Sequence, residues 1–138
     1  MKTTFDALDI IYPIVNVAAV RTTISGGKVY RNSRPENSVT KDIVIVSLPI
    51  TGGHKDDTDI QQCTVMVNAF VKDLEAGRPD DKNLDTITAA VMTVIEAYNS
   101  TTSYARLEII NHSVFEDVDQ AGISYSSIRI NCIIQYEA

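Results

Sequence analysis

Between residues 83 and 98 the apolar side chains fall into one stripe. Leu84, Ile87, Val91, Val94 and Tyr98 recur at spacings of three and four, and Ala90 and Ile95 widen the same band. That period is one face of an α-helix. Asn83 has the side chain of an N-cap, and Asp85 places a negative charge in the first turn, where the helix dipole favours it. Such a helix is roughly 22 Å long. Its apolar face must be covered, and the segments on either side read as strands. This feature therefore requires a helix lying on a sheet.

The strand signals are of period two. Residues 43–48 are a β-branched run. In 62–71, Cys63, Val65, Val67, Ala69 and Val71 share one face, and Thr64, Met66, Asn68 and Phe70 the other. Residues 104–114 alternate Leu107 and Ile109 with Glu108 and Ile110. In 124–136, Ile128, Ile130, Cys132, Ile134 and Tyr136 oppose Arg129, Asn131, Ile133, Gln135 and Glu137. One apolar and one mostly polar face suits an antiparallel sheet covered on one side. A further strand begins at 28–34 with Val29 and Tyr30 and is interrupted by Pro35. Residues 4–20 fit a first helix on Phe5, Leu8, Ile11, Tyr12 and Val15, capped by Thr3 or Thr4, with Pro13 kinking or ending it. Ser25-Gly26-Gly27 is a turn. Residues 49–61 form a long polar arm between two strands that read as an antiparallel hairpin. The expected class is α+β: an antiparallel, at most mixed, sheet of four to five strands with two helices packed on one face, in the order α-β-β-β-α-β-β.

A chain of 138 residues suggests one domain, and that size buries enough surface for a core without staples. Cys63 and Cys132 form no CxxC motif and sit in apolar alternating runs, which favours buried, reduced thiols. A disulfide requires their strands to be neighbours. The first residues hold no apolar run of signal-peptide length, and no run approaches a membrane span, so an intracellular protein is expected. The net charge of −6 argues against nucleic-acid binding, which rests on lysine and arginine. Only Lys28, Arg31 and Arg34 form a loose basic cluster.

Reactive constellations are scarce. His54 lies in the polar arm and His112 in a strand, with no zinc-spaced partner. Asp56-Asp57-x-Asp59 lacks the glycine and terminal glutamate of a calcium loop. The glycines at 26 and 27 lack the lysine and the serine or threonine of a phosphate loop. Gly122-Ile123-Ser124-Tyr125-Ser126 lacks the second glycine and following helix of a nucleophile elbow. Glu75, Asp80, Asp81 and Glu96 show no pairing in sequence. No catalytic, metal or cofactor site is expected, and no enzyme activity.

The layout nevertheless has a likeness. A short N-terminal helix is followed by Gly26-Gly27-Lys28-Val29-Tyr30, then Arg34-Pro35, then the strand Asp42-Ile43-Val44-Ile45-Val46, a polar hairpin loop, a strand, the amphipathic helix and two closing strands. Over nearly its whole length this resembles the tail-completion or tail-terminator proteins of tailed bacteriophages and prophages. The resemblance implies a structural protein of the phage or prophage tail, assembled in the bacterial cytoplasm. It implies a homo-oligomeric, hexameric ring that caps the tail tube and meets other tail or head-connector proteins, without cofactor, specific nucleic-acid binding or membrane. An acidic surface suits a conduit that DNA slides through, and heterologous contacts can close into a ring. The arm residues Thr51, His54, Lys55, Asp56, Asp57 and Asp59 are the candidate contacts to a neighbouring copy. The alternatives are an oligomeric interaction module of a bacterial secretion or contractile system, and an enzyme whose site assembles only in space.

Overall fold

A computed structural model describes residues 3–49, 60–75, 77–102 and 105–135. Strands β1 (Val29–Arg31), β2 (Asp42–Ser47), β3 (Ile60–Lys72), β4 (Ala105–Glu116) and β5 (Ile123–Gln135) form one sheet in the order β1-β2-β3-β5-β4. The alternation in β3 and β5 holds. Cys63, Val65, Val67, Ala69 and Val71 face a common core with Ile128, Ile130, Cys132 and Ile134. Onto this inner face pack helices α1 (Thr4–Val15) and α3 (Asp81–Thr101), through Leu8, Ile11 and Val15 on one and Leu84, Ile87, Val91 and Ile95 on the other. Each such side chain withdrawn from water contributes about 1.5–3 kcal/mol, so this layer dominates the stability.

The fold is α+β as expected, and four details settle or correct points of the sequence reading. First, the sheet is mixed, because β1 runs parallel to β2 while the other pairs are antiparallel. Parallel neighbours need a crossover connection. Residues 32–41 supply it without a helix, passing over the outer face of the sheet, where Arg34 lies on the Phe70 ring. Second, the first helix does not run to 20. Pro13 has no N–H to donate to Asp9 O, and α1 stops at Val15, closed by the Asn16 N–H on Tyr12 O. A short α2 (Ala18–Arg21) and a 3₁₀ turn (Thr22–Ile24) follow, bent by 71° from α1.

Third, α3 starts earlier than the stripe suggests. Asp80 is the N-cap, accepting from the Asn83 N–H, and Asn83 donates its amide to Asp80 Oδ2 at 2.6 Å. Thr3, by contrast, caps α1 as read, in a reciprocal box with Asp6. Fourth, β1 covers only three residues of the expected 28–34, since Asn32 takes a positive φ and ends the extended backbone.

The turn at 25–27 is held by close approach. Gly26 has φ +88°, and a Cβ on Gly27 would lie 1.6 Å from Lys41 O. Cys63 and Cys132 are direct cross-strand partners, both buried and both free thiols. No single helix among the described residues is long and apolar enough to cross a membrane.

Candidate functional site: the outer sheet face and the β4 edge

Because both α1 and α3 lie on one side, the other face of the sheet is covered, among the described residues, by the 32–41 crossover. Cross-strand register sets out its rows. Asp42, Phe70, Tyr125 and Phe115 form one row, Val44, Asn68, Ser127 and Ser113 the next, and Val46, Met66, Arg129 and Asn111 a third. The rings of the first row are in contact, Phe70 to Tyr125 at 4.9 Å between centroids and Tyr125 to Phe115 at 5.5 Å.

Arg34 organises one end of this face. Its side chain is 9% exposed, and its guanidinium carbon stands 4.2 Å from the Phe70 ring centre. Nη1 donates to Asp42 Oδ2 at 3.4 Å, and Nη2 to Asp117 Oδ2 at 3.5 Å and Gln120 Oε1 at 3.3 Å. Asp42 is fully buried and also accepts from Ser38 Oγ at 2.6 Å, Thr40 Oγ1 at 2.9 Å and the Lys28 N–H at 3.3 Å. One buried cation thus ties the crossover, the start of β2 and the β4–β5 turn together.

Two hollows open beside it. The first, of about 650 Å³, has Val44, Val46, Asn68 and Phe70 as floor, with walls from 32–37 and from Asp117, Asp119 and Gln120. The second, of about 360 Å³, lies over Met66, Ser127, Tyr125, Phe115 and Arg129. Asn68 lines both, and its Oδ1 is sealed from solvent with no hydrogen-bond partner. Buried polar atoms are normally satisfied, so this acceptor requires explanation.

The β4 edge is divided. The Asn99 side chain of α3 donates to Leu107 O at 2.6 Å and accepts from the Leu107 N–H at 2.8 Å, closing the first half. A bulge follows between Ile109 and Asn111. The Asp117 N–H bonds to Ile123 O, so residues 111, 113 and 115 bond towards β5. The backbone groups of His112, Val114 and Glu116 consequently point away from the sheet, where no strand pairs with them among the described residues. Ile110 (52%), Val114 (43%), Phe115 (49%) and Val118 (95%) are exposed on this half. Long, apolar, unpaired edges are docking surfaces.

Among the described residues, those singled out in the sequence do not converge on a reactive centre. Thr51, His54, Lys55, Asp56, Asp57 and Asp59 lie outside the described residues. His112 Nε2 shares a 2.5 Å hydrogen bond with Ser126 Oγ, which meets Thr88 Oγ1 at 2.6 Å beneath α3. Ser124 is buried in β5 and donates to Asp73 at 2.6 Å. Asp80 caps α3, Asp81 sits in its first turn, and Glu96 is about four turns further along. Among the described residues no three His, Cys, Asp or Glu side chains are grouped to hold a metal. Nor is there a free basic patch at 28–34, since Arg31 pairs with Asp9 at 2.8 Å and Arg34 is buried. The Arg34 hub and the Asn68 amide were not singled out from sequence. The available signal was an amide in mid-strand, a poor β-former in the alternating run of β3.

No family model and no curated protein matches the sequence. Among solved structures, a chain described as "Virion of native gene transfer agent (GTA) particle" superposes with a TM-score of 0.54 at 12% identity, over 91% of this chain and 92% of that one. At that identity the likeness is one of fold.

Proposed function

We propose that this chain is a structural component of a phage-like particle, a tail-terminator-type protein that forms a ring at the head-proximal end of the tail tube and has no catalytic role. The observation that carries this is the fold shared with a virion chain across nine tenths of both molecules. The half-open β4 edge with its apolar rim supports it, because a heterologous edge contact repeated by rotation closes into a ring. The acidic balance of −6 suits a DNA conduit, repelling phosphate instead of gripping it.

The test is assembly. Native mass spectrometry and negative-stain imaging, alone and with a tail-tube protein from the same genome, should show a closed ring. Val114→Pro removes an N–H that points away from β5, so the ladder is spared. It should abolish assembly with the melting temperature nearly unchanged. A chain that stays monomeric with and without that tube protein sinks the reading. A phage-type gene neighbourhood separates it from a secretion-system module.

A further inference from the structure

We infer that the outer-face groove beside Arg34 is a docking site for an arginine-bearing extended segment of a partner protein. The inference does not depend on ring formation. Three observations define the occupant. The first hollow is walled by Glu36, Asp117 and Asp119, and its own cation is already engaged with Asp42, Asp117 and Gln120. The remaining field of this first hollow is negative, so it favours a cation, while Arg129 on the rim of the second hollow keeps that charge on the Glu36 and Asp119 side. At the junction of the two hollows, Asn68 Oδ1 is a buried acceptor without a donor. It is flanked across the strands by Val44 and Ser127, neither of which bonds to it. A donor from outside would complete it once the half-buried amide turns its oxygen into the groove, a rotamer change of the kind common on binding. Finally, Phe70, Tyr125 and Phe115 form a continuous row, and Arg34 covers only the first ring. The guanidinium on Phe70 shows the geometry that this face offers to a planar cation.

A partner arginine entering between the crossover and the β4–β5 turn would place its N–H groups at Asn68. Its positive charge would lie between Glu36 and Asp119, and the following residues would run over Tyr125 and Phe115. A groove of about 650 Å³ takes one long side chain and a few backbone atoms, which fits a short linear segment and not a folded surface.

The experiment uses the whole chain, uniformly ¹⁵N-labelled, titrated with a capped pentapeptide Ala-Ser-Arg-Ser-Ala. The same peptide with citrulline or glutamate in place of arginine is the control. The arginine peptide should shift the Asn68 side-chain amide and the backbone amides of Val44, Asn68 and Ser127. Citrulline, the neutral isostere, should bind roughly tenfold more weakly, and binding should weaken with salt. Asn68→Leu should remove the response. Asp119→Lys, at an exposed turn position, should weaken it roughly fivefold without touching the core. Equal shifts for the arginine and glutamate peptides overturn the inference. So do shifts confined to α1, α3 or the β4 edge. If Asn68→Leu fails to fold, an unchanged affinity in Asp119→Lys overturns it as well.

Discussion

Replacing Arg34 by alanine tests how the crossover is held. The guanidinium is 9% exposed, and its partner Asp42 is fully buried. Removing one member of a buried pair costs about 3–5 kcal/mol when the other charge is left unpaired. Asp42 would keep three donors, Ser38, Thr40 and the Lys28 N–H, which moves the loss to the lower end. The lost stacking on Phe70 adds about 0.5–1 kcal/mol. The expected sum is about 3.5–4 kcal/mol, or roughly a 12 °C fall in melting temperature for a chain of this length. Urea unfolding followed by circular dichroism measures it. Arg34→Lys should recover little, because an ammonium cannot reach Asp42, Asp117 and Gln120 while lying flat on a ring. Asp42→Asn in the Arg34→Ala background should restore part of the loss. It removes the stranded charge while the amide oxygen still accepts hydrogen bonds. A loss below about 1 kcal/mol, as for an exposed ion pair, or a double variant no better than Arg34→Ala alone, refutes the reasoning.

Three further outcomes follow from the same geometry. Gly27→Ala drives a methyl into Lys41 O and should cost more than about 4 kcal/mol, whereas Gly26→Ala, with φ +88° but open space, should cost about 1 kcal/mol in urea melts. Ser126→Ala strips the hydroxyl shared by Thr88 and His112 and leaves the buried Thr88 unpaired, for a loss of about 1–3 kcal/mol by thermal denaturation. The hydrogen bond shared with Cys63, and then burial, push the Cys132 thiol well above the ordinary value of 9.0. The same hydrogen bond holds the Cys63 thiol below that value, so the pair retains one proton, and the contribution of Cys132 is fully present below pH 9 and falls as the pH rises beyond it, when only the unfolded chain readily loses that proton. Urea melts should show that decline above pH 9, and iodoacetamide should label neither thiol until the chain unfolds.

How much of this was legible depends on the range of the forces involved. The α3 stripe, the alternation of β3 and β5 and the Thr3 cap are local periodicities, and they survive folding because the core rewards them. The start of α3 was not fixed by the stripe, since Asp80 and Asn83 are both capping residues three positions apart. The protein uses the first as cap and the second as its donor. The direction of β1 was not legible either. A three-residue strand has no directional signal of its own. Its course follows from the crossover, pinned by Arg34 to Asp117 across 83 positions of sequence. Cys63 and Cys132 could be assigned to inward faces by alternation, but their apposition depends on β5 inserting between β3 and β4. The expected contact arm falls outside the described residues, while the hollows with Asn68 at their junction depend on three strands and two loops meeting.

The unequal treatment of the two halves of β4 bears on what the molecule is built to meet. An exposed edge strand invites pairing with any extended chain, and proteins usually block it along its length. Here Asn99 occupies both backbone groups of Leu107, so the first half is protected by the helix already needed for the core. Beyond the bulge α3 offers nothing equivalent, and the residues that follow carry exposed Val114 and Phe115 in place of edge lysines or prolines. Phe115 also ends the aromatic row that starts under Arg34. The open edge and the groove therefore converge on the β4–β5 turn, which Arg34 fixes to the rest of the sheet. A partner that pairs with the edge and one that inserts into the groove would read the same end of the molecule. Loosening Arg34 should weaken both contacts together, although it lies on neither the edge nor the bulge.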